Sequence, residues 1–171
     1  MKKRVVVTGI GAVSPIGNDV SAMWENAKAG LCGIDFIKSF DTSEHKVKIA
    51  GEVKGFDPCD IMDKMQARRT ARFTQLALAA AHQAFDQSGL DMEKEDRTRC
   101  GVNISSGIGG LGVIEEEHSK GLKRGFDKVS PLFVPMAITN MAAGMAAIEF
   151  GFKGSCQCIV TACASATNAI G

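Results

Sequence analysis

The 171-residue sequence has almost no excess charge of either sign: 20 lysines and arginines against 19 acids leave +1 at pH 7. Such a chain exerts no general pull on nucleic acid or an anionic membrane, so neither is an expected partner, and a charged partner must be met by a local patch. It also lacks an apolar leader. The basic start MKKR is followed only by Val5, Val6 and Val7 before Thr8-Gly9, too short for the core of a secretory signal. The helix expected over 137–150 is too short for a membrane span and carries Asn140 and Glu149. Zinc-ligand spacing is missing: Cys156 and Cys158 are separated by one residue, and no second pair exists. No metal and no cofactor are expected. Without a secretory leader, the six cysteines are expected to be reduced thiols in a cytoplasmic protein. Low-complexity segments and short repeats are absent too. Only three histidines occur. His82 is expected inside a helix, His118 solvated behind three glutamates, and no recognisable sequence pairing links either to a cysteine nucleophile.

What is present is a globular composition, 45% hydrophobic and 23% charged, with enough length for one domain with a real core. Residues 3–8 read as a buried strand, broken by Gly9 and Gly11. Asn18 is the expected N-cap of a helix over 20–29 that Gly30 ends. Residues 46–53 alternate weakly, as an edge strand does, and 58–65 suggest short helical turns. The clearest helix is 71–88, where Phe73, Leu76, Ala77, Ala80, Ala84 and Phe85 recur at helical spacing before Gly89. A second strand is expected over 99–105, a helix over 111–123, and a loop over 125–136 containing Pro131 and Pro135. The Ala-, Met- and Gly-rich helix over 137–150 should pack closely on a neighbour. A third buried strand covers 155–161, with Cys156 and Cys158 on one face, and a helix of small residues starts at Cys163. Strands alternating with helices imply an α/β fold with helices covering a sheet. The last helical pattern is still running at Gly171 without a stop signal, which points to a truncated chain.

Three stretches invite chemistry. VVVTGIGAVSPIG presents a glycine turn after a strand, but Ser14 stands at the third glycine position of a dinucleotide fingerprint, with no acidic strand end beyond it. A tight turn after a core strand is the better reading. SSGIGGLG, 105–112, has backbone amides able to cradle an anion, yet no Gly-Lys-Ser/Thr follows. A structural or pocket-lining loop fits better, including Gly107 and Ile108. Lys64, Arg68 and Arg72 are four apart and share a face if helical, with Arg69 beside them. They read as a solvated face or as a docking patch for an acidic helical partner. Cys163 has the most suggestive setting: a buried strand, a sharp turn and a helix start would present its thiol, helix-end amides would favour the thiolate, and the small neighbours Ala162, Ala164, Ser165 and Ala166 leave room for a substrate.

RVVVTGIGAVSPIG, SSGIGGLG, VSPLFVP at 129–135 and IVTACAS at 159–165 occur in that order, and together they resemble the β-ketoacyl-acyl-carrier-protein synthases, across essentially the whole chain. The resemblance implies the thiolase fold, here as the first half of a five-layered αβαβα sandwich spanning residues 1–171. It implies acyl transfer from acyl carrier protein to Cys163, then decarboxylative condensation with malonyl-carrier protein. Ile108 falls on an acyl-pocket position that controls chain length, Phe133 on one that reaches across a homodimer, and residues 156–160 on the dimer-forming strand. Arg68 and Arg69 fall on the basic carrier-protein patch, where Met65 replaces a frequent basic residue and Lys64 or Arg72 compensates. Ala166 stands where glycine is common, and Ser155 where proline is. The family's two active-site histidines and lysine have no counterpart after Cys163, so this chain alone is expected not to decarboxylate malonyl-carrier protein. A polyketide ketosynthase and a noncatalytic partner subunit are the alternatives. A nucleotide-binding oxidoreductase is the remote one.

Overall fold

The computed structural model describes residues 4–171, and its backbone falls into two units. One comprises the described residues up to Asp57 with Ala79–Gly89; the other comprises Pro58–Leu78 and Leu90–Gly171.

In the first unit, the strand expected over 3–8 does not form; Lys3 itself lies outside the described residues. Val5, Val6 and Val7 are 91, 59 and 80% exposed. A strand requires a neighbour to exchange backbone hydrogen bonds with, and no described strand pairs with this segment. The following turn is held instead by helix α3, Arg72–Ser88. The amides of Ile10 and Ala12 donate to the side-chain oxygens of Gln87 and Gln83, at 2.7 and 3.0 Å. Alternate residues on extended backbone repeat at nearly the distance of one helical turn, so residues four apart on α3 can serve both amides. Gly9 and Gly11 lie against the carbonyls of Ala84 and Ala80, where a Cβ would collide with helix backbone.

Helix α1, Val20–Lys28, begins where expected, but Asp19, not Asn18, is the N-cap, accepting from the Ala22 amide at 2.8 Å. Gly30, at φ +71, turns the chain out of it. The edge strand expected over 46–53 shortens to β2, Ile49–Gly51, antiparallel to β1, Ile34–Phe36. The β1 strand had no clear pattern in the sequence.

The second unit holds the core. Leu78 and Ala146 are about 1% exposed and pack with Met62, Ile61, Val102, Ile104, Met145 and Phe150. Helix α2, Lys64–Arg68, is capped by Asp63, whose carboxylate accepts from the Met65 and Gln66 amides. It ends at Arg68, and α3 starts at Arg72, so the basic four-residue spacing does not continue along one helix. Buried Gln75 secures the break by donating to the carbonyls of Ala67 and Thr70. The strands expected over 99–105 and 155–161 shorten to β3, Val102–Asn103, and β4, Cys156–Gln157, a parallel pair. Between them run α4, Leu111–Arg124, α5, Phe133–Ala137, and α6, Met141–Glu149. Helix α5 corrects the expected loop: Pro135 sits in its first turn, where a missing N–H costs nothing. Ala142, Ala143 and Ala146 are buried on α6, as its small residues suggested. Helix α7, Ser165–Ile170, closes the described chain.

Candidate functional site

The site is built on the turn between β4 and α7. Thr161 is followed by Ala162 at φ +51, the only described non-glycine residue with positive φ. For an L-residue this conformation crowds Cβ against backbone and persists only where the surroundings hold it. Residues Ala162–Ala164 form one 3-10 turn before α7, so Cys163 stands on a sharp elbow rather than as the first residue of an α-helix. Its side chain is exposed. The Ala164 amide donates to the Thr161 carbonyl at 3.1 Å, so that amide is engaged and is not a free oxyanion donor.

Ser165 braces the elbow. It is 5% exposed, its hydroxyl donates to the Ala162 carbonyl at 2.7 Å, and the same oxygen accepts from the Thr161 amide at 2.9 Å. Asn168 Nδ2 donates to Thr161 Oγ1 at 2.7 Å. Asn103 Nδ2, from β3, donates to the Ala169 carbonyl at 3.1 Å and ties α7 to the parallel strand pair. The sequence reading missed Ser165, Asn168 and Asn103 as site residues. The signal for Ser165 was a hydroxyl residue just after the cysteine, at the distance that reaches back over one turn.

The glycine loop approaches this elbow. A Cβ on Gly107 would meet Ala162 at 3.9 Å, so these two expected pocket residues are brought together. Ile108, next in the loop, is 63% exposed. The Gly110 amide donates to the Ala137 carbonyl at 2.9 Å, joining the loop to α5, whose first residue is half-buried Phe133. Ahead of Phe133, the Glu117 carboxylate accepts from the Ser130 amide at 2.6 Å and pairs with Lys120 at 3.1 Å. The Ser130 hydrogen bond holds the Glu117 carboxyl below the ordinary glutamate range; burial opposes it, and Lys120 adds to the lowering.

The basic residues lie elsewhere on the second unit. Lys64 and Arg68 share α2, Arg69 is its C-cap and Arg72 opens α3, all four exposed. Beside them a cavity of about 330 Å³ is lined by Asp63, Gln66, Arg69, Pro135, Met141 and Met145, among others. None of the four expected acyl-pocket residues lines that cavity. His118 stacks obliquely on Phe126, and His45 on Phe40. No cluster of potential metal ligands occurs among the described residues.

Residues 2–171 match the family model described as "Beta-ketoacyl synthase, N-terminal domain". A 3-oxoacyl-[acyl-carrier-protein] synthase 2 of Staphylococcus aureus (strain COL) is 50% identical over 169 residues, 99% of this chain and 41% of that protein. The protein of the same name from Coxiella burnetii (strain RSA 493 / Nine Mile phase I) is 45% identical over 170 residues, with the same coverage of 99% and 41%. This chain therefore spans about two fifths of the length of these curated relatives. A type II PKS acyl-carrier protein in complex with its ketosynthase is similar in structure, with TM-score 0.82 and 26% identity over 99% of this chain and 45% of that one. A beta-ketoacyl synthase from Burkholderia phymatum STM815 shares the fold, with TM-score 0.82 and 24% identity over 99% of this chain and 42% of that one.

Proposed function

This chain belongs to the β-ketoacyl synthase family and has its thiolase-like α/β fold, and on that premise we propose that it carries the acyl-accepting cysteine of a fatty-acid-elongating 3-oxoacyl-acyl-carrier-protein synthase. The observation that carries the reading is the exposed Cys163 on a braced left-handed elbow, within a chain 50% identical to a 3-oxoacyl-[acyl-carrier-protein] synthase 2. The Cys163 thiolate attacks the carbonyl carbon of a carrier-bound acyl thioester. The tetrahedral oxyanion collapses, the carrier thiolate leaves, and the acyl group remains on Cys163. In condensation, malonyl-carrier protein loses CO₂, its carbanion attacks the Cys163 thioester, and the freed Cys163 thiolate leaves a β-ketoacyl chain two carbons longer on the carrier.

Gly107, Ile108, Ala162 and Phe133 are the proposed acyl-channel residues, with Phe133 serving the partner's channel in a homodimer. Lys64, Arg68, Arg69 and Arg72 are the proposed landing patch for the acidic carrier protein; long-range attraction speeds encounter more than it tightens the complex. A reducing, cytoplasmic setting is proposed for the six cysteines. Among the described residues no helix is long and apolar enough to cross a membrane. Identity of 50% to the fatty-acid enzyme against 26% to the polyketide ketosynthase favours fatty-acid elongation.

Acyl transfer from a carrier-bound thioester to the purified protein tests this reading. Cys163→Ser abolishes formation of a base-labile, thiol-exchangeable adduct at this position, and Arg68→Glu with Arg69→Glu raises the half-saturating carrier concentration about tenfold. Transfer that survives Cys163→Ser, or a carrier dependence indifferent to both charge reversals, contradicts it.

A further inference from the structure

We propose that Ser165, assisted by Asn168, is a positioning residue for acyl transfer: it locks Ala162 in the left-handed conformation and so fixes where the Cys163 thiol stands. The inference rests on Cys163 being the acyl acceptor. Its grounds are local. Ala162 has φ +51, which an alanine abandons unless the peptide groups on both sides are held. Ser165 Oγ donates to the Ala162 carbonyl, in the peptide after Ala162, and accepts from the Thr161 N–H, one peptide ahead of the Thr161–Ala162 link, whose own carbonyl takes the Ala164 amide. This uses the hydroxyl's donor and one of its acceptor lone pairs. Because Ser165 is 5% exposed, water does not readily replace it. Asn168 extends the clasp from the next turn of α7 by donating to Thr161 Oγ1. The Ala164 amide closes the turn on the Thr161 carbonyl. The elbow is thus held from its own following helix, and Cys163 lies between the clasped residues. The hydrogen bonds of Ser165 go to Thr161 and Ala162, so its effect on the thiol passes through Ala162.

The clasp and the strain are coupled, which makes the proposal separable from a plain packing role. Ser165→Ala removes both hydrogen bonds and frees Ala162 to relax, turning the thiol away. Glycine at 162 occupies the left-handed region without penalty, so Ala162→Gly needs the clasp less. Single-turnover acylation of Cys163 from a carrier-bound thioester, with a thermal melt on each variant, tests this. Ser165→Ala is expected to slow acylation about tenfold at saturating donor, through misplacement of the nucleophile, while the half-saturating donor concentration stays within about twofold. Adding Ala162→Gly to Ser165→Ala is expected to recover at least about threefold of the lost rate, through the relieved backbone strain. Asn168→Ala, an exposed change that leaves the core intact, is expected to cost about threefold, the worth of one modest hydrogen bond, and carries the test if Ser165→Ala fails to fold. Wild-type rates in Ser165→Ala, or in Asn168→Ala where that variant carries the test, overturn the proposal. So does a double variant no faster than Ser165→Ala. Hydrogen exchange at the Ala164 amide separates this from the function reading. If Cys163 is never acylated, the function fails; faster Ala164 exchange in Ser165→Ala still supports the clasp, and unchanged exchange refutes it.

Discussion

Two glycine-rich turns follow apolar runs in this chain, and each dispenses with side chains for a different reason. At 9–17, Gly9 and Gly11 press against helix carbonyls of α3, and Gln83 and Gln87 take the turn's amides. That turn is a packing device within the first unit. At 105–112, Gly110 packs on α5 and Gly107 faces the cysteine elbow with room left over. The second turn belongs to the site. Similar glycine spacing therefore meets helix backbone in one place and the cysteine elbow in the other, and only the neighbouring backbone tells them apart.

Substitution at the two turns breaks or sharpens that contrast. The largest effect is expected at the first. Gly11→Ala drives a methyl into the Ala80 carbonyl, and overpacking against backbone that cannot yield costs about 1–3 kcal/mol. A thermal melt reads this as a drop of about 2–4 °C per kcal/mol for a chain of this size. An unchanged midpoint would remove the packing role. The next effect is expected at Gly107→Ala. Its methyl meets Ala162 at 3.9 Å, an ordinary contact, so stability should move by less than about 0.5 kcal/mol. Acylation of Cys163 by long chains should slow while short chains are little affected. If Gly107→Ala instead melts the protein as Gly11→Ala does, the two turns are alike and the contrast fails.

The smallest effect is a pH dependence confined to the second region. Glu117 is held ionised by the Ser130 amide and Lys120, so its folded value lies below its unfolded one. Its contribution to holding the segment ahead of Phe133 is present above the ordinary glutamate value and fades as pH falls through the lower folded value. Hydrogen exchange at the Ser130 amide should therefore gain protection from Glu117 at neutral pH and lose it in acid. Glu117→Gln should flatten that acid-side change. The same acid-side loss in Glu117→Gln would assign it to another group.

Much of the helical framework was legible in the sequence, because its signals are local. The Phe73-to-Phe85 periodicity and Gly89 mark α3, and Leu111 onward marks α4. The strands were legible only in outline. Three apolar runs were recognised, but a strand's extent is set by its neighbours: Val5–Val7 stand exposed without a partner, and β3 and β4 pair over two residues each. The N-cap was misplaced by one residue because Asn18 and Asp19 are both good caps, and Asn18 instead donates to the Lys54 carbonyl. At the candidate site, Cys163 was singled out by its small neighbours and the ordered motifs around it. The bracing by Ser165, Asn168 and Asn103 was not, since hydrogen bonds across a turn or from a distant strand leave no periodic trace. The basic residues were grouped by spacing, yet the break at Arg69 to Ala71 puts Arg72 on a different helix from Lys64 and Arg68.

The central claim is that one cysteine among six accepts the acyl group because the elbow presents it. Peptide mass spectrometry after exposure to a carrier-bound acyl thioester tests it most directly. The account predicts an acyl adduct on the peptide bearing Cys163, with Cys32, Cys59, Cys100, Cys156 and Cys158 unmodified. An unmodified Cys163 at long times, or acyl groups spread among the exposed cysteines in proportion to their exposure, would contradict it.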